Sequence, residues 1–199
     1  MDRGVSRFII PRRVAVAATA LTLSACAGHH YKPVSDYPVK IGRPYTVRGI
    51  TYTPHADPTY DVLGYASWYG AESGHQTANG ERFQAKWVTA AHKTLPLPSY
   101  VAVTNLDSGK TILVRVNDRG PFARGRILDL SRGAAEELGI LRSGIAPVRV
   151  RIVHPSKKDR ERLMHGKEAS PQPYVPTSVL DNLRAQLATG VAEGLVQAP

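Results

Sequence analysis

Asp118 stands where the surrounding pattern calls for an apolar side chain. In "TILVRVNDRGPF", Ile112, Val114 and Val116 alternate like the inward row of a half-buried strand, and Asp118 is next in that row, just before Gly120-Pro121. A carboxyl group at the rim of an apolar row is partly desolvated, which raises its pKa and lets it keep a proton for donation. The same position suits a turn residue that accepts hydrogen bonds from backbone amides, a common task for Asp. On the residues alone the two readings stand level. Arg115 and Arg119 would pull the pKa down, but alternation sends both to the opposite face for as long as the strand persists.

The strand that ends in Asp118 belongs to a series of short elements between residues 61 and 154. "VLGYASWYG" alternates as a strand, and "YVAVTNLDSGKTILVRVND" reads as two strands joined by an Asp-Ser-Gly turn at 107–109. "RILDL" is a further strand. Ser131 is placed to N-cap a helix through "RGAAEEL", with Gly139 as its stop, and "PVRVRIV" closes the series. Short strands, tight turns and one brief helix predict a mainly β domain built as a small barrel.

The flanks have a different character. Arg3, Arg7, Arg12 and Arg13 precede an apolar run, Val14 to Leu23, that is too short to span a bilayer, which predicts a signal peptide over residues 1–25. The next residue, Cys26, is the single cysteine, and "LSAC" resembles the bacterial lipobox. A lipidated Cys26 carrying several acyl chains would be a durable membrane anchor, facing the periplasm and in the outer membrane of a Gram-negative cell. Residues 26–60 are rich in Pro, Tyr and Gly without sustained period and are expected as an extended tether. Residues 155–176 are charged and Pro-rich, hence a second linker. Leu180, Leu183, Leu187, Val191 and Leu195 then recur at helical spacing, predicting a short amphipathic helix that docks on its own domain. About 45 residues follow the barrel, which is too few for a SPOR domain, a module that binds glycan.

The formal net charge is +10, but residues 61–154 carry twelve Lys/Arg against eight Asp/Glu, with no dense basic cluster among stacking aromatics. Nucleic acid is therefore not an expected partner; a diffuse positive charge suits an anionic wall polymer or lipid headgroups. His29-His30 has no further ligands at usable spacing, and the glycines lack a strand-loop-helix context, so neither a metal nor any cofactor is expected.

Four segments carry more information together than apart: "TANGERF" at 77–83, "TAAHKTLP" at 89–96, "VNDRGPF" at 116–122 and "GRILDLS" at 125–131. In this order and spacing they resemble the rare lipoprotein A family over roughly Gly64 to Val153. The resemblance implies a six-stranded double-psi β-barrel related to barwin-like proteins and expansins, with one or two short helices and flexible extensions. It also implies a lytic transglycosylase that cuts peptidoglycan glycan strands, preferentially those stripped of stem peptides, to 1,6-anhydro ends. Envelope or division proteins are further candidate partners.

Carried onto this sequence, the family's important positions fall on Glu81, His92 and Asp118. Asp118 becomes the acid/base. Glu81 is expected as a second carboxylate that steadies an oxocarbenium-like transition state or holds Asp118 protonated by like-charge repulsion, against simple exposure at a hairpin tip. His92 is expected to hydrogen-bond substrate or a carboxylate, against a structural role. Arg119 is a candidate for binding a sugar carboxylate or the lactyl group; Tyr69 and Trp68 for stacking on sugar faces, with core packing equally open for at least one of them; and Asn79 for a further substrate contact. Asp129 reads as a structural hydrogen-bonding partner. "TLPLPSY" departs from the family's pattern, and Pro98 is expected to reshape the groove wall. The rival reading is a non-catalytic, expansin-like wall binder in which the carboxylates only bond hydroxyls.

Overall fold

Six strands, each with one apolar row, close on themselves so that all six rows share one interior. They are β3 (Asp61–Tyr69), β4 (Thr89–Ala91), β5 (Ser99–Asn105), β6 (Thr111–Asp118), β7 (Arg126–Ser131) and β8 (Ile145–Ile152), in the order β3-β7-β4-β6-β5-β8. The computed structural model describes residue 1, residues 30–70 and residues 74–199. Residues 2–25 of the expected signal segment and Cys26 lie outside the described residues. The elements all fall in the second of two units, Tyr31–Pro199. The barrel is mainly β and six-stranded, as expected. β3 runs parallel to β7 and β4 parallel to β6, while the other contacts are antiparallel.

Val101, Val103, Val114, Val116, Leu128, Leu130, Val148 and Val150 fill the interior, none more than marginally exposed. The helix α1 (Arg132–Leu138) starts on Ser131, whose hydroxyl accepts from the Ala134 amide, and stops at Gly139 in the left-handed region (φ 84°). Gly133 is dictated by space: a Cβ there would sit 2.2 Å from the Lys86 carbonyl oxygen.

Three helices occur among the described residues, one more than the sequence predicts. The addition is α2 (Lys157–Met164), inside the stretch read as a linker. Ser156 caps it by accepting from the Asp159 amide, and Leu163 is fully buried in the main core. One buried leucine in a charged octet is too little periodicity to see in advance. The third helix, α3 (Thr177–Ala192), lays Leu180, Leu183 and Leu187 over Leu106, with Leu63 and Tyr65 at the margin. Each buried leucine contributes roughly 1.5–3 kcal/mol.

Residues 31–60 are fastened to the barrel rather than free of it. Lys32 donates its amide to the Gly80 carbonyl, and Lys40 and Leu97 exchange backbone bonds. A small antiparallel hairpin, β1 (Tyr45–Val47) and β2 (Ile50–Tyr52), follows. Tyr45 and Tyr52 stack at 5.4 Å, and both rings lie against Phe122. Proline-rich composition hid this because the attachment uses backbone groups and three aromatic rings, which leave no period in the sequence.

One irregularity decides where Asp118 points. β6 pairs with β4 through Thr89↔Arg115 and Ala90↔Val116, but then Ala91↔Asp118, leaving Asn117 as an extra residue. Such a bulge reverses alternation downstream. Val116 faces the interior with Ala90; Asp118 emerges on the outer face with Ala91. The carboxylate therefore leaves the apolar row, and strict alternation, which placed Arg115 and Arg119 opposite it, does not hold.

Candidate active site

The outer row around Asp118 is set by strand register. Ala91 pairs with Asp118 on one side and with Asp129 on the other, and Asp129 pairs in turn with Ser67 on β3. Two carboxylates thus flank one methyl group, with their α-carbons two strand spacings, about 10 Å, apart. They line one open cavity of about 420 Å³ together with Tyr69, Gln76, Phe122, Arg126 and, from the hairpin tip, Arg48. Small size at Ala91 is what leaves the space between the acids open.

Asp118 is held by one oxygen. Its Oδ1 accepts from the Ala78 amide at 2.8 Å and the Arg119 amide at 2.8 Å, while Oδ2 makes no hydrogen bond among the described residues. Burial dominates its ionisation and raises the pKa; the two amides and the Arg119 charge pull it only partway back. Asp129 is also raised by burial, against the Ser67 hydrogen bond and the charges of Arg126 and Lys93. Its Oδ1 accepts from the Ser67 hydroxyl at 2.8 Å, and its Oδ2 lies 3.3 Å from the Arg126 guanidinium. Sequence reasoning gave Asp129 a purely structural part. Its place beside Asp118 follows from the register of the three-residue strand β4, which leaves almost no trace in composition.

Glu81 is elsewhere. It is 1 % exposed rather than at an open hairpin tip, and it forms a two-pronged ion pair with Arg115, itself 1 % exposed, at 2.7 and 2.8 Å. Asn117 and Asn79 each donate to it at 2.9 Å. Burial pushes the carboxyl up, but Arg115, joined by the two amides, outweighs burial and holds it below the usual carboxylate range. A carboxylate so neutralised exerts no like-charge repulsion that would keep Asp118 protonated, which corrects the expected electrostatic role. It instead pairs off Arg115 and pins the Thr77–Glu81 turn, whose Ala78 amide reaches Asp118. Gly80, at φ 90°, lets that turn fold back. Asn79 belongs to this knot rather than to the groove lining.

His92 is likewise committed inside the protein. Its Nδ1 accepts from the amides of Thr94 and Leu95 at 3.1 and 3.0 Å, so the ring proton is on Nε2, which bonds the Tyr60 hydroxyl at 2.9 Å. Burial, then the charges of Arg119, Lys93 and His55, push its pKa down to about 3, and the ring stays neutral. Both ring nitrogens are thereby occupied by protein partners, and neither bonds a carboxylate. The His92 amide does donate to the Asp118 carbonyl, tying the two loops together.

Arg119 lines the groove, but its guanidinium donates to the carbonyls of His92, Leu95 and Ile41, so it fastens loops where sugar binding was expected. Tyr69 lines the groove and stacks on Phe83 at 5.1 Å; burial, then the Asp118 charge, push its phenol well up. Trp68 packs against the core instead. Pro98 lines a separate apolar cavity with Pro58, Tyr100 and Ile152, away from the groove it was expected to reshape. No cluster of three or more His, Cys, Asp or Glu able to hold a metal occurs among the described residues.

A family model described as "Lytic transglycolase" matches residues 61–150. The chain is 56 % identical over 114 residues to "Endolytic peptidoglycan transglycosylase RlpA" of Pseudomonas aeruginosa (strain UCBPP-PA14), covering 56 % of this chain and 33 % of that protein. It is 49 % identical over 120 residues to the protein of the same name from Vibrio cholerae, covering 59 % and 46 % respectively. The chain thus spans a third to a half of the length of these relatives. Among solved structures, the Streptomyces papain inhibitor aligns over its whole length with 50 % of this chain, at 22 % identity and a TM-score of 0.43. With four matching segments, a closed barrel carrying two parallel pairs and these relatives, the barrel of this chain is similar to that of the rare lipoprotein A (RlpA) family of double-psi β-barrels.

Proposed function

We propose that the chain is an endolytic lytic transglycosylase that cuts peptidoglycan between N-acetylmuramic acid and N-acetylglucosamine. The observation that carries this is Asp118: a carboxyl raised by burial, held through one oxygen, with the other left open to a groove. Protonated at rest, it gives its proton to the departing glycosidic oxygen as the bond to C1 breaks. The C6 hydroxyl of the same muramic acid then closes on C1, and the Asp118 carboxylate takes that hydroxyl proton back. The product is a 1,6-anhydro end, no water is consumed, and the enzyme returns to its starting state.

Asp129 has the complementary task. Held by the Ser67 hydroxyl and beside the Arg126 guanidinium, it faces the same groove as a carboxylate that steadies positive charge developing at C1. Glu81 and His92 support catalysis as positioning residues: one fixes the turn that bonds Asp118, the other the loop that receives Arg119. The relatives' printed name supports the substrate class. In this reading Cys26 is lipidated and holds the enzyme at an envelope membrane facing the periplasm, and peptide-stripped strands are the favoured substrate.

The test is incubation with amidase-stripped sacculi followed by mass spectrometry. Products ending in 1,6-anhydro-N-acetylmuramic acid, lost in Asp118→Asn, are expected. Retained glycan binding without any product would overturn the enzymatic reading in favour of a wall binder.

A further inference from the structure

The groove has a second wall that the barrel does not supply, and it carries an uncommitted cation. Val47 and Ile50 form the last pair of the β1–β2 hairpin, so Arg48-Gly49 is a two-residue turn, with φ of 50° and 80°. Two consecutive left-handed residues are the geometry of a type I′ turn, in which the first position usually goes to Asn, Asp or Gly. Arginine there costs roughly 1–2 kcal/mol of backbone energy. It is the one non-glycine residue at positive φ among the described residues, and its side chain lines the cavity that holds Asp118 and Asp129.

The charges around the groove give this position a meaning. Arg115 is paired with Glu81, Arg119 donates to three carbonyls, and Arg126 serves Ser67 and Asp129. Arg48 is exposed and makes no hydrogen bond or ion pair among the described residues. Nor does its wall swing freely. The Tyr45–Tyr52 stack is braced on Phe122, itself a groove residue, and the Tyr45 hydroxyl donates to the Lys93 carbonyl at 2.7 Å. A rigidly mounted free guanidinium opposite two acids is suited to a substrate that brings carboxylates of its own into a site that would otherwise repel them.

We infer that Arg48, presented by the β1–β2 hairpin, is a binding residue for a carboxylate carried by the glycan substrate, so that residues 31–60 form part of the active groove. This rests on the proposed function for the substrate class. Two sources share the chemistry: the lactyl carboxylate freed when a stem peptide is removed, and the carboxylates of the stem peptide itself.

Binding is measured by calorimetry with the full chain in detergent, carrying Asp118→Asn so that nothing is turned over. The probes are amidase-stripped glycan strands, the same strands with carboxylates converted to neutral methylamides, peptide-bearing strands, and chitohexaose. Charge-assisted contacts of this kind lead to an expected preference of roughly 10-fold or more for carboxylate-bearing over methylamide strands. Arg48→Gln should abolish that preference, Arg48→Lys should keep part of it, and chitohexaose binding should not change. Arg48→Gly removes charge and backbone strain together; it should lose the preference while melting no lower than its parent, which excludes misfolding as the cause. Loss confined to stripped strands assigns the lactyl group, and loss confined to peptide-bearing strands the peptide. An undiminished preference in Arg48→Gln and Arg48→Gly overturns the inference even if the enzyme is active. Conversely, an inactive protein that shows the Arg48-dependent preference sinks the transglycosylase reading and leaves this one standing.

Discussion

Glu81, which accepts a hydrogen bond from Asn117, and Asp118, the next residue along β6, live under opposite physics. Glu81 has every oxygen matched and its pKa held down; Asp118 has one oxygen idle and its pKa held up. The first arrangement stabilises the fold and has nothing left to offer a ligand. The second is costly to the fold and retains capacity for chemistry. Motif matching alone groups these two acids as equals, and their surroundings separate them.

The sharpest way to break the contrast is Asp118→Asn. Losing a general acid should lower the rate by about 10²- to 10⁴-fold, measured as 1,6-anhydro product formation, while the thermal midpoint at neutral pH should not fall. A drop in stability there would put Asp118 in the same category as Glu81. Glu81→Ala should do the reverse of that stability result. Stripping buried Arg115 of its close two-pronged partner, so that only the 3.4 Å contact to Asp36 remains, costs about 3–5 kcal/mol, read by urea unfolding, and the double variant Glu81→Met/Arg115→Met should recover most of it. Somewhat smaller is Leu183→Ala under α3, expected to cost about 2–5 kcal/mol with kcat unchanged, because that core lies apart from the groove.

The finest test is pH. Glu81 has a folded pKa below that of the unfolded chain, about 4.3. Its contribution is full above that value and drains away as pH falls through the folded pKa. Asp118 has a folded pKa above its unfolded value, about 3.9, so its folded form binds the proton more tightly and stability declines as pH rises from there through the folded value. Glu81→Gln should flatten the acid limb of a stability–pH curve, and Asp118→Asn the decline on the other side. The same curves in both variants would erase the distinction.

The parts of the molecule legible in sequence are those with a repeating signal. β3, β5, β6, β7 and β8 announced themselves by alternation, and α1 by its two caps, Ser131 and Gly139. What escaped has no repeat: β4 is three small residues, the β1–β2 hairpin is buried in proline-rich text, and α2 shows one apolar anchor. The site followed the same rule. Asp118 was visible because it broke a row, yet its direction was misjudged, since a bulge residue looks like any other. The partnership of Asp129 with Asp118 depends on β4, and that of Arg115 with Glu81 on a turn thirty-four positions earlier; neither distance is encoded locally.

Because the bulge is one residue long, the bearing of Asp118 is a question of odd and even. Were the strands to pair without the extra residue, so that Asn117 faced Ala91, Asp118 would fall back into the row of Val114 and Val116 and swing into the hydrocarbon centre. The pairing of residues across the two strands thus sets where the acid points, while the side chain of the extra residue is occupied with Glu81.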